Sequence, residues 1–207
     1  MNRRLIAGAT LVASAGAMIA AVGVSQASAT TTPQAGAKPA AVQAPVNAAV
    51  PVADSIFKGK RQVAIVRAQA SEGALSLMDD GRLGEVDGVE GKSLFVLAPL
   101  GGGKYLIRTA TPDSATGGEP SCWKVHNPNT SAPLTVRKAA CDTRVAAQRF
   151  TIKAYGEKDG KTTYAISNDS AYLQYFPTSG LIMEELGDAP LVSTFRIVDN
   201  GPAPILD

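Results

Sequence analysis

The side chains best suited to hold a ligand fall in one short run: Asn168, Asp169, Tyr172, Gln174, Tyr175 and Phe176. Rings beside amides and a carboxylate are what a weak carbohydrate site requires, because a ring stacks on apolar surface while polar groups bond hydroxyls. The competing reading has Tyr172 and Tyr175 alternating along a strand, one in a core and one at the surface. Groups for covalent or acid–base chemistry are scarce. His126 is the only histidine, and it lies beside Asn127 and Pro128 in a turn-rich segment. No Gly-x-Ser-x-Gly elbow accompanies it, so a serine triad lacks its setting. Asp79-Asp80 and Glu184-Glu185 are adjacent in sequence, so their carboxylates point apart and do not form a glycosidase pair. Asp79-Asp80-Gly81 reads as a turn without the further ligands of a calcium loop. Gly101-Gly102-Gly103-Lys104 lacks the earlier glycine and the following Ser or Thr of a phosphate loop, and reads as a flexible joint. Cys122 and Cys141 could be a nucleophile, a metal pair or a cross-link, and their spacing fits no zinc pattern. The chain is expected to be no enzyme, with no metal and no cofactor.

Residues 1–29 read as a bacterial export signal. Arg3 and Arg4 start it, Leu5 to Val24 is an uncharged Ala/Gly/Val-rich run, and Ala27-Ser28-Ala29 offers small residues for cleavage. The rival is an uncleaved membrane anchor, for which the many Ala, Gly and Ser make a weakly hydrophobic run. Removing the signal takes away Arg3 and Arg4 and no acid, which leaves 18 basic against 18 acidic residues. A neutral protein has no long-range pull on phosphate backbones or anionic lipid. Nucleic-acid binding and stable membrane insertion after cleavage are therefore not expected. Lys58-Gly59-Lys60-Arg61 is a small basic cluster, read as a solvated leading segment. In residues 30–55, Pro33, Pro39, Pro45 and Pro51 fall six apart in an Ala/Val/Thr/Gln background. That spacing stops helix propagation, and the segment reads as a disordered spacer. The expected location is secreted, extracellular or cell-wall associated.

Residues 56–207 make one domain's worth of chain, and they repeat internally. Three segments open alike: Val63-Ala64-Ile65, Tyr105-Leu106-Ile107 and Tyr164-Ala165-Ile166. Second apolar pairs follow at Leu75 with Leu77, Trp123 with Val125, and Leu173 with Tyr175. Third pairs follow at Leu83 with Val86, Leu134 with Val136, and Leu181 with Met183. Each unit closes on a phenylalanine: Phe95, Phe150 and Phe195. Turn signals such as Asp80-Gly81, Asp159-Gly160 and Ser179-Gly180 separate the pairs. Four strands per unit in three units, over about 63–99, 104–154 and 163–199, predict an all-β fold, the β-trefoil. This is a six-stranded barrel capped by three hairpins, with the closing phenylalanines around one shared core. Thr109 to Ser121 is a Pro/Gly/Ser/Thr insertion in the second unit.

The stretch from Cys122 to Ile152 resembles one repeat of a ricin B-type lectin. In that family a Cys opens the repeat, a second Cys follows about twenty residues on, and a Gln-x-Trp closes it; here the closing motif is Gln148-x-Phe150. With the export signal and the even cysteine count, the resemblance implies a Cys122–Cys141 disulfide. It also implies sugar binding. Where the family has an acceptor Asp after the first Cys, this chain has Lys124. Where it has a ring before the second Cys, the chain has Arg137-Lys138-Ala139-Ala140. Gln148 survives as a structural residue. Repeat one offers Asp79, Asp80 and Arg82 but no ring. Repeat three keeps Asn168, Asp169, Tyr172, Gln174 and Tyr175 together and is the expected site.

The expected function is a secreted, monomeric, non-catalytic module that binds carbohydrate weakly. The alternative partner is a secreted protein. Several secreted β-trefoils are protease inhibitors that present one exposed loop, and here that loop would be 109–121. It lacks a basic or large apolar side chain for a primary protease pocket, Arg108 being the nearest.

Overall fold

The computed structural model describes residues 56–205, apart from 71, 72, 89 and 90. The expected export signal and the whole expected spacer lie outside the described residues. Alternating apolar positions give twelve strands among the described residues. The first unit holds β1 (Arg61–Arg67), β2 (Ala74–Leu77), β3 (Leu83–Val86) and β4 (Leu94–Gly101). The second holds β5 (Lys104–Thr109), β6 (Ser121–His126), β7 (Thr135–Ala140) and β8 (Phe150–Lys158). The third holds β9 (Lys161–Asn168), β10 (Ala171–Phe176), β11 (Gly180–Glu185) and β12 (Phe195–Pro202). Antiparallel pairing runs β1–β4–β5–β8–β9–β12 and returns to β1, so six strands close a barrel. The pairs β2–β3, β6–β7 and β10–β11 are the three cap hairpins. The fold is a β-trefoil. Among the described residues no helix is long and apolar enough to cross a membrane.

The register repeats with the fold. Phe95 pairs with Val63, Phe150 with Tyr105 and Phe195 with Tyr164, so each closing phenylalanine faces the first residue of its own unit's opening triplet. All three rings are 0% exposed. Fully burying a ring of this size contributes about 1.5–3 kcal/mol. Ile65, Ile107 and Ile166, which end the three triplets, are buried in the same cluster. Phe57 packs against this cluster, its ring 5.6 Å from Tyr105 and 5.5 Å from Tyr164.

Threefold symmetry breaks at one cap position. Leu75 and Leu173 have Trp123 as their counterpart on β6, and all three are buried. The indole meets Phe95 edge-on at 5.1 Å and Phe150 edge-on at 5.9 Å. Its Nε1 is buried without a hydrogen-bond partner.

Backbone bonds knit the hairpins together at the cap. The Lys138 amide donates to the Gly81 carbonyl at 2.7 Å, and the Met183 amide donates to the Leu134 carbonyl at 2.9 Å. Gly81 has φ +80°, a backbone conformation that favours glycine, and a Cβ there would come within 3.1 Å of Lys138 Cγ. The run Gly101-Gly102-Gly103-Lys104 is a tight hairpin turn between β4 and β5, with Gly101 paired to Lys104. Gly102 and Gly103 both have positive φ, as a turn matching strand twist needs.

Cys122 and Cys141 are joined by a disulfide with Cα atoms 5.0 Å apart. Cys141 stands just past β7, and a short 3-10 turn at Ala146–Gln148 intervenes before β8. The bridge therefore staples the second hairpin to the return loop ahead of the fourth strand.

Candidate functional site

The five residues expected to bind ligand do not share one surface. Asn168, at the end of β9, is buried, and its Nδ2 donates to the carbonyls of Ala146 at 2.9 Å and Arg149 at 3.0 Å. Those bonds tie the third unit to the second. Gln174 is 0% exposed. Its Oε1 accepts the amides of Val192 at 2.9 Å and Ser193 at 3.0 Å, and its Nε2 donates to the Leu173 carbonyl at 2.7 Å. Its amide is fully engaged inside the fold. Tyr175 packs against the core with the Arg67 guanidinium 3.9 Å over its ring. Asp169 is exposed in the β9–β10 turn, 3.7 Å from Lys104 Nζ. Tyr172 alone of the five opens onto a groove.

That groove has a volume of about 440 Å³. Tyr172 pairs with Ser167 on β9 and Glu184 on β11, which sets its ring at the junction of barrel and hairpin. The opposite wall is the projecting β8–β9 hairpin. Thr151 pairs with Ser167 and Lys153 with Ala165, so these side chains share a face and line the groove. Tyr155 also lines it and is 55% exposed. The loop after β11 closes the third side through Leu186, Pro190 and Leu191. Two phenol rings, an ammonium group, two hydroxyls and an apolar edge thus meet in one concavity. Glu184, across the hairpin from Tyr172, has one carboxylate oxygen buried without a partner.

Thr151, Lys153 and Tyr155 were not among the residues that sequence pattern singled out. The available signal was a ring at the outer end of a strand whose polar neighbours alternate with Ile152.

The other sequence-noted groups are occupied within the fold. Asp79 pairs with Lys92 at 2.7 Å, which holds its carboxyl below the ordinary aspartate range. Asp80 accepts the Arg82 amide at 2.8 Å. Gln148, two residues before Phe150, accepts the Asp142 amide at 2.9 Å and donates to the Ala140 carbonyl at 2.8 Å. The same position before Phe95 and Phe195 is a buried serine, Ser93 and Ser193. Among the described residues no group of three or more His, Cys, Asp or Glu could hold a metal ion.

The insertion between β5 and β6 is braced rather than loose. Asp113 caps a 3-10 turn at Ser114–Thr116 by accepting the Ala115 amide at 2.9 Å. Its other oxygen accepts Ser121 Oγ at 3.0 Å and Lys138 Nζ at 3.4 Å. The Ala115 amide first, then the Ser121 hydroxyl and Lys138, hold the Asp113 carboxyl below the ordinary aspartate range.

No family model matches the chain. No curated protein matches it either. Among solved structures, the designed threefold-symmetric protein ThreeFoil is similar with a TM-score of 0.52 at 17% identity, over 67% of this chain and 99% of its own. The BEL β-trefoil gives 0.52 at 14% identity, over 69% and 94%. The Polyporus squamosus lectin, solved bound to a human-type influenza-binding epitope, gives 0.50 at 13% identity over 68% of this chain. The chain spans 49% of that lectin's length. The likeness is one of fold.

Proposed function

We propose that the chain is a secreted, non-catalytic carbohydrate-binding module whose sugar site is the groove between Tyr172 and Tyr155. One observation carries this reading: two tyrosines, Lys153 and the hydroxyls of Thr151 and Ser167 line a single concavity. A sugar ring has an apolar face that stacks on phenol rings and hydroxyls that need donors and acceptors. The disulfide supports an oxidising location. The Polyporus squamosus lectin among the similar structures supports a binding role for the scaffold.

A glycan array probed with the chain tests the reading, followed by Tyr172→Ala and Tyr155→Ala. Loss of a bound glycan in either variant supports the groove. A glycan that stays bound after both changes refutes it.

The braced 109–121 loop favours a second reading, a protein-binding or protease-inhibiting trefoil. A loop held by Asp113 is preorganised for docking. No glycan bound, together with inhibition of a serine or cysteine protease, would select it.

A further inference from the structure

We propose that the cap carries a second site, for a tetrahedral oxyanion group such as a sulfate or phosphate ester, on the row Lys124, Arg137 and Arg82. It lies away from the Tyr172 groove and does not depend on it. Lys124 on β6 is the cross-strand partner of Arg137 on β7. Arg137 in turn forms a β-bridge with Arg82, just before β3 in the first hairpin. Residues directly opposite across antiparallel strands project on one face with Cβ atoms about 5 Å apart. Three cations therefore stand abreast on the outer face, opposite the core face that holds Trp123 and Val136.

Among the described residues, none of the three makes an ion pair. The nearest acid in sequence, Asp80, accepts the Arg82 backbone amide on one carboxylate oxygen and makes no ion pair with the Arg82 side chain. Arg82 and Arg137 line a cavity of about 360 Å³ with His126, Thr135, Thr178 and Ser179, and no carboxylate lines it. His126 pairs with Thr135 one step along the same hairpin face.

Like charges set directly opposite are destabilising, so the row is costly for an unliganded fold. A bound oxyanion removes that repulsion. Guanidinium groups bond tetrahedral oxyanions in bidentate fashion, which a lysine-only patch cannot do. The hydroxyls of Thr135, Thr178 and Ser179 can donate to the remaining oxygens. The attraction is local, because charge elsewhere on the chain balances and salt screens beyond about 8 Å.

The test is an amide NMR titration of the chain with sodium sulfate against sodium chloride at matched ionic strength. A sulfated disaccharide and its unsulfated counterpart are titrated in parallel. Saturable shifts at Arg82, Lys124, His126 and Arg137 with sulfate alone are expected. Arg137→Gln, an exposed change that leaves the core intact, should weaken binding roughly tenfold. Tighter binding of the sulfated sugar than of sulfate would identify an ester ligand; equal binding would identify the free oxyanion. Shifts that do not saturate, that chloride reproduces, or that persist unchanged in Arg137→Gln would overturn the proposal.

Discussion

Arg67 lies 3.9 Å above the ring of Tyr175 while its guanidinium also bonds Glu85, at 2.8 and 3.1 Å. The contact joins the first strand of unit one to the last hairpin of unit three. It gives Tyr175 a structural neighbour on the face where a ligand ring would have to stack. Tyr172, three residues earlier, faces the groove instead.

The two tyrosines should therefore respond oppositely to truncation. Tyr175→Ala removes packing and a cation–π contact of about 0.5–2 kcal/mol, so Tm should fall by roughly 5 °C. Tyr172→Ala should leave Tm almost unchanged and abolish glycan retention. Thermal melts with glycan-affinity chromatography would check both. Equal Tm losses in the two variants would contradict this division of roles.

Trp123 fills space between Phe95 and Phe150 that a leucine fills in the other two units. Trp123→Leu should fold into the same architecture, because Leu75 and Leu173 already fit that place, but should leave a cavity. A loss of about 2–4 kcal/mol in urea unfolding, followed by circular dichroism, is expected. A loss under 1 kcal/mol would mean that the neighbouring rings collapse into the gap.

The disulfide closes a loop of 19 residues in sequence separation. The chain-entropy account gives about 3 kcal/mol for a loop of this size. The double variant Cys122→Ala, Cys141→Ser should unfold at correspondingly lower urea. Added reductant should then have no further effect, whereas it should bring the parent chain down to the same midpoint.

Acid should weaken the fold through Asp113 and Asp199. The Arg61 side chain first, then the Gly201 amide, hold the Asp199 carboxyl below the ordinary range, as Asp113 is held by Ala115, Ser121 and Lys138. Both groups are more acidic folded than unfolded, so their stabilisation is complete above about pH 4 and is lost as pH falls through the depressed values. Melting curves from pH 7 to pH 2 should show this decline. Asp113→Asn should melt lower at neutral pH and lose less on acidification. An unchanged acid slope in that variant would remove Asp113 from the account.

Much of the fold was legible in the residues alone. Period-two apolar pairs and three closing phenylalanines require strands with one buried face, and no single unit can bury that face alone. Gly-containing turns such as Asp80-Gly81 and Asp159-Gly160 marked where several strands stop. The site was less legible, because its members depend on register. Tyr172 and Gln174 lie two apart on one strand and point to the same side. Yet one opens to a groove while the other is covered by Val192 and Ser193. Only the path of the 186–194 segment separates them.

Sequence by itself determined the strand pattern and the ring-rich character of unit three, since alternation and side-chain type are properties of the chain. Tertiary structure decided which rings reach solvent, which amides are internal, and that Lys124, Arg137 and Arg82 stand side by side. Those facts arise from strands distant in sequence meeting in one register, and no local pattern encodes where a partner strand will fall.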